Sequence, residues 1–570
     1  MRNLKEYIAV ARGQKNADLL LKNCQLVNVF SGEVYSGNIA IYKDRVVGIG
    51  DYKANKVIDL NGKYVTPSFI DAHAHLESSY LNPAEFSNAA LPHGTGAIIA
   101  DPHEIANVFG VPGIKYMLEQ SEGLPVEMNF MLPSCVPCSN FGTSGAKIDA
   151  ADLKPLLKKS RVLGLAEMMN YPGVLRRNEV VMEKIDLVRD SGKCIDGRCP
   201  GLTGKDLSAY VAAGIDTEHE ATTAAEAQEK LKDGMKILVR EGSAAKNMEA
   251  LIPAINAANS RNFMFCSDDI DVDDLIAGYM DKILAKAVAL GVNPVIAIQM
   301  ATLNVAEHYK LADVGAVAPG YYADLVVLDD ITDFEVKTVI KRGEIVFDKG
   351  KVIKPAKAKP KAFVKDSVKI KPISVKDLKV KAKSNYIKVI EVVPAQITTK
   401  SRTVLVHEES GYALPDIGTD ILKLAVVERH RATGRIGIGF VKGFGLKKGA
   451  VAQTIAHDSH NIICVGTNDE DMVSAIRRLE KIGGGIVVVL GGLVMAELPL
   501  VIGGLMSEEP AATVAAQLEK VEAATKELGA EIDRLCETLS FLALPVIPEL
   551  RLTDKGLVDV VEFKLVKLFE

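Results

Sequence analysis

Two histidines separated by a single residue are the strongest chemical signal in this sequence. His73 and His75 end a run that begins with the apolar pair Phe69 and Ile70. In a β-strand, residues two apart project from the same face, so both imidazoles can bind one metal ion. Two histidines at a strand end can also be ordinary polar residues, and the pair alone leaves both interpretations open.

Further carboxylates and imidazoles follow other apolar runs. They are Asp101, His103 and Glu104 after residues 97–100, Glu167 after residues 162–166, His219 within residues 217–220, and Asp268 and Asp269 after residues 263–266. Singly, each has a structural explanation, such as a helix cap or a paired core residue. The carboxyl ends of strands in an α/β barrel meet at one face, so together these side chains can face one cavity.

This ligand chemistry indicates a metal-dependent hydrolase. Nitrogen and oxygen ligands suit Mn²⁺ and Fe²⁺, with Zn²⁺ also possible. A bound ion lowers the pKa of water towards about 7 and makes hydroxide available at neutral pH. Asp268 can then hold the nucleophile and pass its proton to a leaving group. The sequence leaves open whether Asp268 or Asp269 is the metal ligand.

The elements that position these residues change in character along the chain. Residues 1–66 contain short strands, with a turn at Lys43-Asp44-Arg45, and predict the first part of a small β domain. Residues 67–310 alternate strands and helices, as in a (β/α)8 barrel. Residues 311–384 return to strand chemistry and to the β domain. The predicted fold class is therefore α/β: a barrel with a small β-sandwich domain from the flanking segments, plus a C-terminal α/β domain over 385–570.

Composition favours a small-molecule substrate. Of 570 residues 48% are hydrophobic and 25% charged, and the net charge of -5 creates no field for nucleic acid or a membrane surface. The weakly charged stretch 483–506 is broken by glycines, which fits buried strands better than a membrane helix. Between residues 349 and 383 lie 13 lysines, for which a linker is favoured over a nucleic-acid tail.

Cysteine usage and the N-terminus predict the compartment. The eight cysteines are scattered and lack the density of a disulfide scaffold, which indicates a reducing environment. The N-terminal stretch has no apolar core of signal-peptide length. We expect a cytoplasmic protein.

Longer motifs resemble the adenine deaminases of the amidohydrolase superfamily over nearly the whole chain. The matching stretches are residues 69–79 (FIDAHAHLESS), 100–108 (ADPHEIANV), 200–207 (PGLTGKDL), 457–461 (HDSHN) and 539–545 (LSFLALP). The resemblance implies hydrolysis of adenine to hypoxanthine and ammonia by a metal-activated hydroxide, in purine salvage. It implies Mn²⁺ or Fe²⁺ as cofactor and favours a homo-oligomer, a dimer.

The resemblance also implies residue roles. His73 and His75 would bind one metal with Asp268, and Glu167 would bridge to a second metal held partly by His219. Glu104 would assist proton transfer to the purine ring. The predicted catalytic residues are therefore Asp268, Glu104 and His219.

Two positions depart from the family pattern. Where the family has Gly-His-Ala-Pro-Gly, this chain has Arg198 in place of the ligating histidine, and Tyr279 replaces a histidine after the eighth strand. Arginine stays charged and cannot coordinate a metal, so its repulsion disfavours the second ion. The sequence predicts one firm metal site and one weakened one.

Three functions stay open on the sequence. The leading one is an active adenine deaminase. The second is a catalytically impaired paralogue that binds a purine-like ligand, and the third is an amidohydrolase acting on cyclic amides or as a deacetylase. The loop with His457 and His460 is metal-capable as well, but the sequence assigns it no partner ligands.

Overall fold

The computed structural model describes residues 4–243, 245–359, 361–394 and 396–570. Two parts of the sequence discussed above lie outside the described residues. They are residues 1–3 of the N-terminal stretch and residue 360 of the Lys-rich segment.

The chain begins with a short helix and five strands. These are α1 (Leu4–Ala11), β1 (Ala17–Asn28), β2 (Glu33–Tyr42), β3 (Arg45–Ile49), β4 (Ala54–Asp59) and β5 (Tyr64–Pro67). The predicted hairpin is confirmed, because β2 and β3 pair antiparallel. Lys43 opens the turn in a left-handed backbone conformation with φ of 53°.

Parallel strands form the barrel. They are β6 (Phe69–His75), β7 (Thr95–Ala100), β8 (Glu127–Leu132), β9 (Val162–Met168), β10 (Cys194–Gly197), β11 (Thr217–Glu218), β12 (Lys236–Arg240), β13 (Phe263–Cys266) and its short continuation β14 (Asp268–Asp269). Strand β14 pairs parallel with β6, so that Asp268 lies opposite Ala74. This pairing joins the last barrel strand to the first, and the predicted (β/α)8 fold is confirmed.

Helices alternate with the barrel strands. They are α2 (Pro83–Ala90), α3 (His103–Phe109), α4 (Val111–Gln120), α5 (Ala150–Leu153), α6 (Tyr171–Leu175), α7 (Glu179–Asp190), α8 (Gly204–Ala212), α9 (Ala224–Lys232), α10 (Met248–Leu251), α11 (Val272–Ala277), α12 (Met280–Ala289), α13 (Pro294–Met300) and α14 (Leu303–His308). In α7 the Asn178 side chain caps the first turn, and Val181, Ile185 and Val188 are buried at helical spacing. The helix therefore covers the barrel with one apolar face.

The chain then rejoins its N-terminal strands. The returning strands are β15 (Leu325–Leu328), β16 (Val336–Lys341), β17 (Glu344–Asp348) and β18 (Lys351–Val352). Strand β15 pairs antiparallel with β5, which places both segments in one nine-stranded sheet.

The Lys-rich segment packs as a linker between the barrel and the rest of the chain. The Lys359 backbone N–H donates to Gln120 Oε1 at 2.9 Å. The carbonyl of Val364 accepts from the backbone N–H of Gly503 at 2.8 Å. These contacts hold the linker against α4 on one side and the C-terminal region on the other.

An α/β domain completes the molecule. Its elements are β19 (Val380–Lys381), β20 (Tyr386–Val392), β21 (Thr399–Leu405), β22 (His407–Glu409), β23 (Tyr412–Leu414), β24 (Ile421–Val427), β25 (Ile436–Lys442), β26 (Ala450–Gln453), β27 (Ile462–Gly466), α15 (Asp469–Ile482), β28 (Gly485–Leu490), β29 (Leu493–Pro499), α16 (Ala511–Glu527), α17 (Leu535–Phe541), β30 (Leu550–Thr553), β31 (Gly556–Asp559) and β32 (Lys564–Val566). Strands β20, β21 and β24–β29 form an eight-stranded sheet. The glycine-broken stretch 483–506 supplies β28, which is buried as predicted, and β29, whose first residues are exposed instead. Within the described ranges, no helix has the length and apolar character needed to cross a membrane.

Candidate active site

Three ligand atoms converge where β6 meets β14. The Nε2 atoms of His73 and His75 lie 3.2 Å apart, and Asp268 Oδ1 lies 3.3 Å from the first and 3.1 Å from the second. All three side chains are buried. Ligands bound about 2.0–2.2 Å from one ion stand roughly 3 Å from each other, so these separations fit a shared metal. Asp268 Oδ1 also lacks a hydrogen-bond partner among the described residues, which a cation would provide.

The turn between β13 and β14 aims Asp268 at the two histidines. Asp268 has φ of 62°, a left-handed conformation that non-glycine residues rarely adopt. Asp71 supports the turn, since its carboxylate accepts from the Ser267 N–H at 3.2 Å and from the Tyr279 hydroxyl at 2.6 Å. Tyr279, one of the two residues that depart from the family pattern, thus supports the turn that carries Asp268. Asp269 points elsewhere and accepts from the Ser78 hydroxyl.

A second group of donors lies beside the first. Glu167, at the end of β9, places Oε1 3.6 Å from His75 Nε2 and Oε2 3.1 Å from His219 Nε2. The His73 and His219 rings stack with centroids 4.5 Å apart. The structure therefore brings together all five predicted metal ligands: His73, His75, Glu167, His219 and Asp268.

Arg198 occupies the outer side of Glu167. Its Nη1 lies 3.3 Å and 3.2 Å from the two carboxylate oxygens, and its Nη2 lies 2.9 Å from Glu220 Oε1. Burial raises the pKa of Glu167, but Arg198 and His219 outweigh it and hold that pKa well below its usual range. The carboxylate that would bridge two metals is thus already neutralised on one side by a guanidinium.

A second arginine completes this network and was missed in the sequence. Arg240 donates from Nη1 to Asp268 Oδ2 at 2.7 Å and from Nη2 to Glu220 Oε2 at 2.9 Å. It ends strand β12 after the apolar run 237–239. The strand-end rule that found the carboxylates would have found Arg240 too, had cations been considered as site residues.

The C-terminal domain reaches the site through Glu104 at the start of α3. His457 Nδ1 lies 2.5 Å from Glu104 Oε1, and His460 Nε2 contacts Oε2. These are the partners that the sequence could not assign to the two histidines. His103, next to Glu104, bonds Asp101 Oδ2 through Nδ1 at 3.0 Å.

A cavity lies between the barrel and the C-terminal domain at this point. Its volume is about 450 Å³, a figure that includes space open to solvent. Its lining includes Ser78, Glu104, Asp269, His457 and Phe541. The site thus combines metal-capable donors with a neighbouring cavity that the Glu104 carboxylate lines.

Sequence comparisons agree with both parts of this architecture. The profile described as "Amidohydrolase family" matches residues 64–346, and that described as "Adenine deaminase C-terminal domain" matches residues 396–564. A protein named adenine deaminase from Clostridium acetobutylicum is 48% identical over 565 residues, covering 98% of this chain and 99% of its own. Proteins of the same name from Desulfatibacillum aliphaticivorans and Methanothrix thermoacetophila are 46% and 47% identical, each over 99% of both chains.

Proposed function

Because the chain belongs to the adenine deaminase family, we propose that it hydrolyses adenine to hypoxanthine and ammonia. The observation that carries this proposal is the full-length similarity, joined with the convergence of His73, His75 and Asp268 on one point. Purine salvage is the process that such a reaction serves.

The resident cofactor is a divalent metal, and we propose Mn²⁺ or Fe²⁺. His73, His75 and Asp268 would hold the first ion, and Glu167 with His219 would be the remaining donors. When bound, such an ion acts as a Lewis acid and increases the acidity of water at neutral pH. Nitrogen and oxygen donors are compatible with Mn²⁺, Fe²⁺ and Zn²⁺ alike, so the donor set supports a borderline divalent ion.

The protein's own residues move the two protons of the attacking water. Asp268 accepts one from the water and delivers it to the departing amino group, which leaves as ammonia. Glu104 conveys the other to the purine ring. Burial favours its protonated form, but the surrounding histidines outweigh this and hold the pKa of Glu104 well below its usual range, so the residue is ionised at rest. It therefore accepts a proton before it delivers one.

Two measurements on the purified protein test the function directly. Ammonia release from adenine gives the turnover, and elemental analysis gives the metal content. We expect turnover of adenine when Mn²⁺ or Fe²⁺ is supplied, with loss of at least a hundredfold in Asp268→Asn, since general acid–base residues contribute about 10²–10⁴ in rate. Absence of adenine turnover in the metal-loaded protein would overturn the proposal. Cyclic amides and acetylated sugars, assayed alongside, test the alternative amidohydrolase reactions.

Arg198 is the observation that favours the second candidate, a catalytically impaired paralogue. Its guanidinium engages both oxygens of Glu167, which weakens the donor set for a second ion. In that case the protein would bind a purine-like ligand without releasing ammonia, and equilibrium binding of adenine without turnover would identify it.

We also propose a homo-oligomer, a dimer, working in the cytoplasm. The eight cysteines are free thiols, seven of them buried, which suits a reducing compartment. Light scattering of the purified protein tests the oligomeric state.

A further inference from the structure

Glu104 is held by two imidazoles from a different domain. It begins α3 at the mouth of the barrel, whereas His457 and His460 lie in the loop between β26 and β27 of the C-terminal domain. Each histidine takes a separate oxygen: His457 Nδ1 lies 2.5 Å from Oε1, and His460 Nε2 contacts Oε2. The Glu104 side chain is only 3% exposed.

The spacing of this trio argues for hydrogen bonds rather than a metal. Ligand atoms that share one ion stand roughly 3 Å apart, as those of His73, His75 and Asp268 do. The contact between His457 Nδ1 and Glu104 Oε1 is shorter, at 2.5 Å, and is that of a hydrogen bond. Each imidazole is therefore placed to donate an N–H to one oxygen of the carboxylate.

The donor nitrogen of His460 is fixed by its own loop. The backbone N–H of Ala456 donates to His460 Nδ1 at 3.2 Å, so Nδ1 carries no proton and Nε2 does. Burial lowers the pKa of His460 to about 4, which keeps the ring neutral in this tautomer. His460 also has φ of 50°, a left-handed backbone conformation. The loop is thus shaped to present Nε2–H to Glu104.

His457 presents the other nitrogen and faces the cavity. Its ring stacks on Phe541 with centroids 4.6 Å apart and an interplanar angle of 23°. This stacking orients Nδ1 towards Glu104 Oε1, and the side chain keeps 12% of its surface exposed. His457 and Phe541 both line the cavity that Glu104 enters.

We propose that His457 and His460 are positioning residues that fix the Glu104 carboxylate for proton transfer, so the C-terminal domain completes the active site of the barrel. This inference rests on the proposed function for its kinetic consequence. The two donors from the C-terminal domain, one on each oxygen, hold the carboxylate in one orientation. The C-terminal domain therefore contributes directly to the reaction.

A crossed pair of substitutions tests the proposal. The amide nitrogen of asparagine lies near the position of histidine Nδ1, and that of glutamine lies near Nε2. His457→Asn and His460→Gln therefore keep a donor to Glu104, whereas His457→Gln and His460→Asn misplace it. We expect kcat in each donor-keeping variant to exceed that of its mismatched partner by about tenfold or more, because hydrogen bonds to charged groups are strong. KM for adenine and metal content should differ little within each pair.

The crossed pattern separates positioning from general damage. Preference for the same amide at both positions, or equal kcat within each pair, would overturn the proposal. His407 serves as the matched control, since its Nδ1 bonds Pro415 O at 2.9 Å on the exposed surface of the same domain. His407→Asn and His407→Gln should have equal kcat.

Crystal structures of the four variants give a readout that does not need turnover. We expect Glu104 to keep its position in His457→Asn and His460→Gln and to turn away in the mismatched variants. An unmoved Glu104 in all four would contradict the inference, even if adenine proved not to be the substrate. Absence of turnover in the wild-type protein would instead count against the proposed function alone.

Discussion

At the scale of single residues, Arg198 affects how many metal ions the proposed centre can bind. It lies where the family pattern has a ligating histidine, and the structure shows what it does there: it forms ion pairs with Glu167 and Glu220. A largely covered cation 3.2 Å from Glu167 Oε2 would repel a second metal ion and compete for its carboxylate. We therefore expect the proposed centre to favour one ion, bound by His73, His75 and Asp268.

Arg198→His should raise metal content. The substitution removes a fixed charge and supplies a neutral nitrogen ligand, so we expect bound metal to rise from about one towards two ions per chain, since each site needs its own ligands. Elemental analysis of dialysed protein measures this. Arg198→Lys is the control, because it keeps the charge without a ligand and should stay near one. Equal metal content in all three proteins would refute the argument.

Glu220 makes the stability of the folded protein depend on pH in the acidic range. Burial raises its pKa, but Arg198 and Arg240 outweigh burial and lower it to about 2. A carboxyl whose pKa is lower in the folded state than in the unfolded state stabilises the protein above the unfolded value, about 4.3, and this stabilisation is lost as pH falls towards 2. Glu220→Gln should therefore be less stable at pH 6, and its stability should fall less between pH 5 and pH 3. Urea unfolding at several pH values measures both. Parallel stability curves for the two proteins would contradict the linkage.

At the scale of elements, the loop between β26 and β27 depends on a buried arginine. Arg429 is fully buried, donates to Gly503 O at 2.9 Å and to Ser367 O at 3.0 Å, and contacts the His460 carbonyl. It therefore ties the loop that carries His460 to two other segments. Without it, several buried carbonyls lose their partners.

Arg429→Met should reduce both stability and rate. Unsatisfied buried groups cost about 1–3 kcal/mol each, so we expect a loss of roughly 3 kcal/mol in the free energy of unfolding. The rate should fall as well, because His460 loses its fixed backbone. Denaturant unfolding and kcat under folded conditions provide the two measurements. Lys423→Met is the control, since Lys423 is buried against Leu378 O at 3.1 Å and lies outside this loop. It should lose stability and keep kcat.

At the scale of the whole molecule, metal binding and barrel closure are linked. His73 and His75 belong to the first barrel strand and Asp268 to the last, so an ion bound by all three, as we propose, would join the two ends of the barrel. A ligand that binds only the folded state stabilises it by about 2.7 kcal/mol at a concentration one hundred times its Kd.

Metal removal should lower the melting temperature. We expect chelation to lower the thermal midpoint by several degrees, because the free energy of metal binding is lost, and we expect added Mn²⁺ to restore the midpoint. Differential scanning calorimetry measures the shift. A protein carrying both His73→Asn and Asp268→Asn should show little response to Mn²⁺. An equal Mn²⁺ response in this variant would show that the ion stabilises the protein elsewhere.

The sequence by itself determined the elements and the donor types. Apolar runs predicted β7, β9 and β13 to within about two residues, because a buried parallel strand requires such a run whatever surrounds it. Polar residues at the strand ends identified the candidate site residues, since the ends of barrel strands share one face, and the family resemblance selected five of them as metal ligands. The substitution of Arg198 was visible in the sequence as well.

Only the tertiary structure decided which of these groups meet. Glu104 and His457 are 353 positions apart in the chain, and no local periodicity relates them. The pairing of Arg240 with Glu220 and Asp268 likewise depends on three different strand ends. Local pattern fixes the type and direction of a side chain, whereas contacts between distant segments follow from how the domains pack. The physical reason is that hydrogen bonds and ion pairs act over a few ångströms of space, whatever the distance along the chain.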